Sequence, residues 1–194
     1  ATDGSAGGKQ KGANLSKIRK QESINALSNL AMPSFFNAKD GKLFYDKTFI
    51  HNIENYINTI KPDLIITHSF DDYHPDHRSL SQYLQNLASF KYPLLFAETM
   101  MGINFQPDYF IDITKYFENK KRAILMHKSQ NPNKFVKAIE LQNSFRAGQC
   151  NYEIGNYVEA YKFENRFPFS DISSLVPHNI KIKSYYKNEK KSLI

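Results

Sequence analysis

The chain has 194 residues, 26 Lys and Arg against 19 Asp and Glu, and one cysteine, a length that suits one domain with a genuine core. Cys150 alone excludes a disulfide framework and sets a reducing, cytoplasmic location as the expectation, and no apolar run approaches the ~20 residues of a membrane-spanning helix. The excess positive charge lies at the ends, five Lys/Arg against one Asp in 1–20 and five Lys against one Glu in 178–194, so a specific nucleic-acid partner is not expected of the near-neutral body.

Residues 1–14, rich in Gly, Ser and Lys, read as a mobile loop. Leu15 to Leu30 has apolar residues at 15, 18, 24, 26, 27 and 30, a helical spacing with Ser16 near its start. Residues 32–46 read as irregular, with a turn at Asp40-Gly41. Thr48 to Ile60 predicts a second helix carrying Phe49, Ile50, Ile53, Tyr56, Ile57 and Ile60 on one face. Pro62 to His68 is an apolar, β-branched run that predicts a buried strand, followed by a polar loop, Ser69 to Tyr73, and a helix from about 78 to 90. Tyr92 to Glu98 and Tyr109 to Ile113 read as further strands, and Lys115 to Gln130 and Asn133 to Ala147 as helices. Strands alternating with helices predict a layered α/β fold with a mainly parallel sheet. The basic end, 178–194, is expected to be a tail beyond a domain spanning 1–177.

The most informative stretch is His74-Pro75-Asp76-His77. Ligands of open α/β sheets sit beyond the carboxyl ends of the strands, where this loop falls. Proline is favoured at the first helical position, which makes His74 the N-cap and His77 the third helical residue, with both rings at one end of the helix. One imidazole then suits a metal while the other faces substrate, and Asp76 between them can fix a ring tautomer. Two histidines three apart also arise by chance, and a catalytic zinc needs three protein ligands where this loop offers one or two.

At this point the chain resembles the PIG-L/LmbE-like zinc-dependent de-N-acetylases. The resemblance rests on Pro62 to Thr67 followed by Asp71-Asp72-Tyr73-His74-Pro75-Asp76-His77-Arg78, similar to the family's strand, loop and His-Pro-Asp-His helix. Thr2-Asp3-Gly4 resembles its Thr-x-Gly turn, Arg19 and Glu22 its Arg-x-x-Glu helix, and Asp40 its loop aspartate. Asp112-Ile113-Thr114, His127-Lys128-Ser129-Gln130 and Glu159 to Phe163 continue in the same order, so the similarity spans about residues 2–163.

What the resemblance implies is a Rossmann-like fold and an enzyme that removes the N-acetyl group from an N-acetylhexosamine or its conjugate, a linear amide, with the help of Zn2+. It implies His77 as a metal ligand, His74 and Asp76 as catalytic residues with Asp76 orienting the His74 ring, and Arg19 and Asp40 as grips on the sugar; Asp72, which also suits a loop cap, is counted with that substrate-binding set as an indirect support. One departure stands out. The family's Ala-His-Pro-Asp-Asp motif, which supplies the other zinc ligands and the general base, has no counterpart here. The expectation is therefore of first strands and remaining zinc ligands upstream of Ala1, with little activity in this chain itself. The alternative is a metal-free saccharide-binding relative.

Simpler readings stand beside these. Arg19 and Glu22 suit a surface ion pair, Asp40 a turn, and His127 a helix cap. His51, His68 and His178 have no partner in view; Cys150 reads as a small buried residue, and Phe163, Phe167 and Phe169 as packing.

Overall fold

The computed structural model describes residues 1–7 and 12–181. Part of the amino-terminal loop and all of the basic tail except 178–181 lie outside the described residues. Helix α1 (Ala13–Ala26) buries only Leu15 and Glu22, and a run of turns at 27–30 ends it before Leu30, which is left at the surface. The apolar stripe expected of this segment is therefore mostly unused: Ile18 and Leu30 are exposed.

Helix α2 (Lys47–Ile60) is the amphipathic helix its spacing predicts. The Asp46 carboxylate accepts the Phe49 N–H at 2.9 Å, satisfying an otherwise unpaired donor of the first turn. Phe49, Ile53 and Ile57 enter the core with Leu43, Ile65, Leu84, Ala88, Leu94 and Phe96. Strands β1 (Ile65–His68) and β2 (Leu94–Ala97) are joined through α3 (Pro75–Ala88) and pair in parallel, with Ile65 opposite Leu94 and His68 opposite Ala97. Among the described residues β1 forms a sheet edge, which is why Ile66 remains exposed despite the apolar run around it.

The expectation of a mainly parallel, Rossmann-like sheet is overturned. The sheet has four strands in the order β1-β2-β4-β3, and β4 (Val158–Phe163) runs antiparallel to both β2 and β3 (Tyr109–Asp112). Two of its three pairings are antiparallel, so it is a small, open, mixed sheet. The cause lies between β3 and β4. One helix returns a chain to the start of the preceding strand and gives a parallel neighbour. Here two helices, α4 (Phe117–Leu125) and α5 (Pro132–Gln149), pack together as a pair joined by a short loop. The second helix reverses the direction again, and β4 enters from the opposite end.

No helix among the described residues is long and apolar enough to cross a membrane. Cys150 is half-buried and free, less enclosed than its reading from sequence.

Candidate functional site

Beyond the carboxyl end of β1, the loop before α3 is built around Asp72, whose side chain has no exposed surface. One carboxylate oxygen accepts the His74 backbone N–H at 2.8 Å and meets His77 Nδ1 at 3.0 Å. The other accepts the Thr99 hydroxyl at 2.5 Å, which ties the loops after β1 and β2 together. Arg78 closes the turn by donating to the carbonyls of Asp72 and Tyr73 at 2.7 and 2.9 Å. Burial drives the Asp72 carboxyl upward, but the Thr99 hydroxyl, the His74 N–H and the His77 ring outweigh it and hold the acid below its ordinary range.

An ionised Asp72 can only accept, so His77 Nδ1 carries the proton and Nε2 keeps its lone pair. His74 has the opposite arrangement. It takes the N-cap position in extended backbone ahead of Pro75, and its Nδ1 accepts the Asp76 N–H at 3.2 Å. A neutral His74 then carries its proton on Nε2. The two ring centroids are 4.6 Å apart, so a hydrogen-bond donor and a lone-pair nitrogen stand side by side.

The Asp76 carboxylate does not reach the His74 ring; only its backbone N–H does. Its two oxygens accept the N–H groups of Gly41 and Leu43 at 2.7 and 3.2 Å, anchoring the turn that carries Asp40. Asp40 in turn accepts the Ala6 N–H at 2.9 Å and lies 3.8 Å from Arg19 Nη1. Arg19 donates to the carbonyls of Gly4 and Gly7 at 2.6 and 2.9 Å. Gly4 has a φ of +64°, and a Cβ there would stand 2.8 Å from Arg19 Cδ, so the Thr-x-Gly turn needs its glycine both for its backbone and for this side chain. Arg19 and Asp40 thus build the 2–7 turn as well as facing the site.

Arg19, Asp40, His74, Asp76 and His77 meet on one cavity of about 660 Å³, within the usual size of a small-molecule pocket. Asp72 stands behind the loop, outside that lining, supporting His77 and His74. Sequence reasoning left out four contributors to this region. Tyr73, His127 and Gln130 line the cavity, and His68, at the end of β1, stacks on His77 with ring centroids 3.8 Å apart and planes 7° from parallel. The position of His68 at the carboxyl end of a strand was the available signal for it.

His127 and Gln130 are held in place by the Arg-x-x-Glu helix, although Glu22 forms no pair with Arg19. Glu22 is buried and accepts both the N–H and the hydroxyl of Ser129 at 2.7 Å. Glu22→Ala is expected to cost roughly 1–3 kcal/mol, because two donors lose a buried charged acceptor. Urea unfolding measures the loss, and the His127 ring resonances should shift with it.

Burial draws the His68 pKa down to about 4, assisted by the neighbouring His77 and opposed by Asp72. The folded value lies below the ordinary histidine value, so the folded state resists protonation. The contribution to stability is whole above pH ~6.5 and is lost as pH falls toward 4, to a ceiling on the order of 3 kcal/mol. A pH series of unfolding free energies should fall across that window, and His68→Phe should flatten it.

No group of three or more His, Cys, Asp or Glu able to hold a metal ion occurs among the described residues. His77, oriented by Asp72, is a well-prepared single donor, but a catalytic zinc takes three from the protein. The described donor set does not fit a zinc centre.

Residues 1–88 match the family model described as PIG-L: GlcNAc-PI de-N-acetylase. Among solved structures the chain is similar to N,N′-diacetylchitobiose deacetylase from Pyrococcus horikoshii, at 21% identity and a TM-score of 0.70, over 84% of this chain and 70% of that one. It is also similar to a 4-carboxy-2-hydroxymuconate hydratase from Pseudomonas putida, at 21% identity and a TM-score of 0.67, over 91% and 80% of the two chains. A conserved protein from Thermus thermophilus aligns at 19% identity and a TM-score of 0.60, over 76% and 73%. These three likenesses establish the fold.

Proposed function

We propose that this chain, whose residues 1–88 match the de-N-acetylase family model, is a PIG-L/LmbE-like protein that binds an N-acetylhexosamine or its conjugate in the His74–His77 cavity and serves the metal-dependent hydrolysis of its N-acetyl amide. The observation that carries the reading is the pairing of His74 and His77 on that cavity, one ring prepared as a donor and the other with a free lone pair. As water adds to the amide carbonyl, His74 Nε2–H can stabilise the oxyanion so formed, and as the C–N bond breaks the leaving amine takes up the proton that the attacking water has given up. His77, its tautomer fixed by Asp72, is the ring of the pair that could offer a lone pair to a metal ion. Arg19 and Asp40 offer charged donors and acceptors to sugar hydroxyls on the same cavity. Asp76 acts by holding the Asp40 turn against the His74 helix. Residues 1–177 form the working domain, 178–194 a basic tail, and Cys150 suits a reducing cytoplasm.

A metal-free saccharide-binding role is the second reading, favoured by the incomplete donor set. A hydratase shares the fold, so fold alone does not choose the chemistry. Acetate release and saccharide binding, measured together with and without added zinc, separate the readings. The hydrolase reading expects acetate from N-acetylglucosamine or its conjugates and a loss of ~100-fold or more in His74→Ala. Binding without acetate under every metal condition supports the second reading. Absence of any N-acetylated-sugar binding ends both.

A further inference from the structure

We infer that the cavity wall behind His127 opens into an apolar annex that accepts a short alkyl chain carried by the sugar; this rests on the sugar occupying the main cavity as proposed above. A second cavity of about 340 Å³ adjoins the first and shares His127, Gln130 and Phe135 with it. Its own apolar walls are Met100, Ile124 and Ile139, supplied by the turn after β2, by α4 and by α5.

Of the polar groups around the annex, Glu98, Thr99, Lys120 and Gln142 are already engaged, while His127 and Gln130 stand where it meets the main cavity. Glu98 is held by Arg146, with Nε 3.0 and 3.1 Å from its two oxygens. Lys120 donates to Asn143 at 2.9 Å and to Glu159 at 2.6 Å. Gln142 donates to the Thr99 carbonyl at 3.0 Å and accepts the Met101 N–H at 2.7 Å, while the Thr99 hydroxyl is given to Asp72. A polar substituent entering this space would lose water and find these partners occupied, at a cost. An alkyl chain has no such demand and gains from leaving water, by about fourfold in affinity per fully buried methylene. The annex therefore selects for chain length rather than for further hydroxyls.

Such a chain could be an N-acyl group longer than acetyl or an alkyl group on the anomeric oxygen. Calorimetric titration of the 194-residue chain with the methyl glycoside of N-acetylglucosamine, its hexyl glycoside and N-hexanoylglucosamine distinguishes the two. The expected result is that one of the two sugars with a six-carbon chain binds at least ~10-fold tighter than the methyl glycoside. The one that gains identifies which end of the sugar faces the annex. Ile139→Trp should fill the space and abolish the gain while methyl glycoside affinity stays unchanged. If Ile139→Trp does not fold by circular dichroism, Ile124→Trp replaces it from the facing helix. Methyl glycoside binding with no benefit from either chain overturns the annex and leaves the functional reading standing. A gain that survives in whichever filled variant folds also overturns it. No binding of the methyl glycoside removes the functional reading and the annex together.

Discussion

Arg146→Met alone should lower the free energy of unfolding by about 3–5 kcal/mol, the usual cost of stranding one member of a buried ion pair. The Arg146 and Glu98 side chains are 7% and 3% exposed, and Arg146 Nε lies 3.0 and 3.1 Å from the two Glu98 oxygens. Arg146 Nη2 also bonds Glu98, and Nη1 donates to Gln149 at 2.6 Å. Removal of the guanidinium leaves a carboxylate between β2 and α5 without its cation. Joint replacement, Glu98→Leu with Arg146→Met, should recover most of the loss, since two apolar groups have no charge to desolvate. Urea unfolding of both single variants and the double variant at neutral pH completes the cycle. A loss under ~1 kcal/mol in Arg146→Met would mean that water reaches Glu98.

Asp72→Ala carries the second large effect, roughly 2–4 kcal/mol of stability with at least a tenfold loss of N-acetylated-sugar binding. Three donors lose their acceptor together: the His74 N–H, the Thr99 hydroxyl and His77 Nδ1. The stability loss comes from all three, and the binding loss from release of the His77 ring. The pH dependence gives an independent check. The folded Asp72 carboxyl is held below its ordinary value, so its contribution is whole above pH ~4 and disappears as acid takes the medium through the lower folded value. Asp72→Asn removes that titration, and the steepest acid part of the stability curve should become shallower.

What the sequence made legible was local. Pro75 at the first helical turn, His74 at the cap and the α2 apolar face all follow from spacing within a few residues, and the structure has each of them. The convergence of Arg19, Asp40, His74 and His77 was legible only through resemblance, because the residues come from three separate parts of the chain. The true partners of Asp76 and Glu22 were not legible at all. Asp76 holds backbone N–H groups 33 and 35 residues away, and Glu22 holds Ser129 across 107 residues. Backbone donors leave no mark in side-chain composition. The sheet direction was misread for a different reason: both α4 and α5 were recognised, but alternation of element types does not register that two helices in succession reverse the chain twice.

The central place of β4 governs when this protein can assemble. Among the described strands Val158–Phe163 are the last to leave the ribosome, yet β4 is the only one of them that pairs with β3, and β4 alone joins β3 to β2. A nascent chain stopped before Val158 can form the β1–β2 pair but lacks the strand that ties β3 to it, so the described sheet waits on β4. Contacts made so late across so much sequence slow folding.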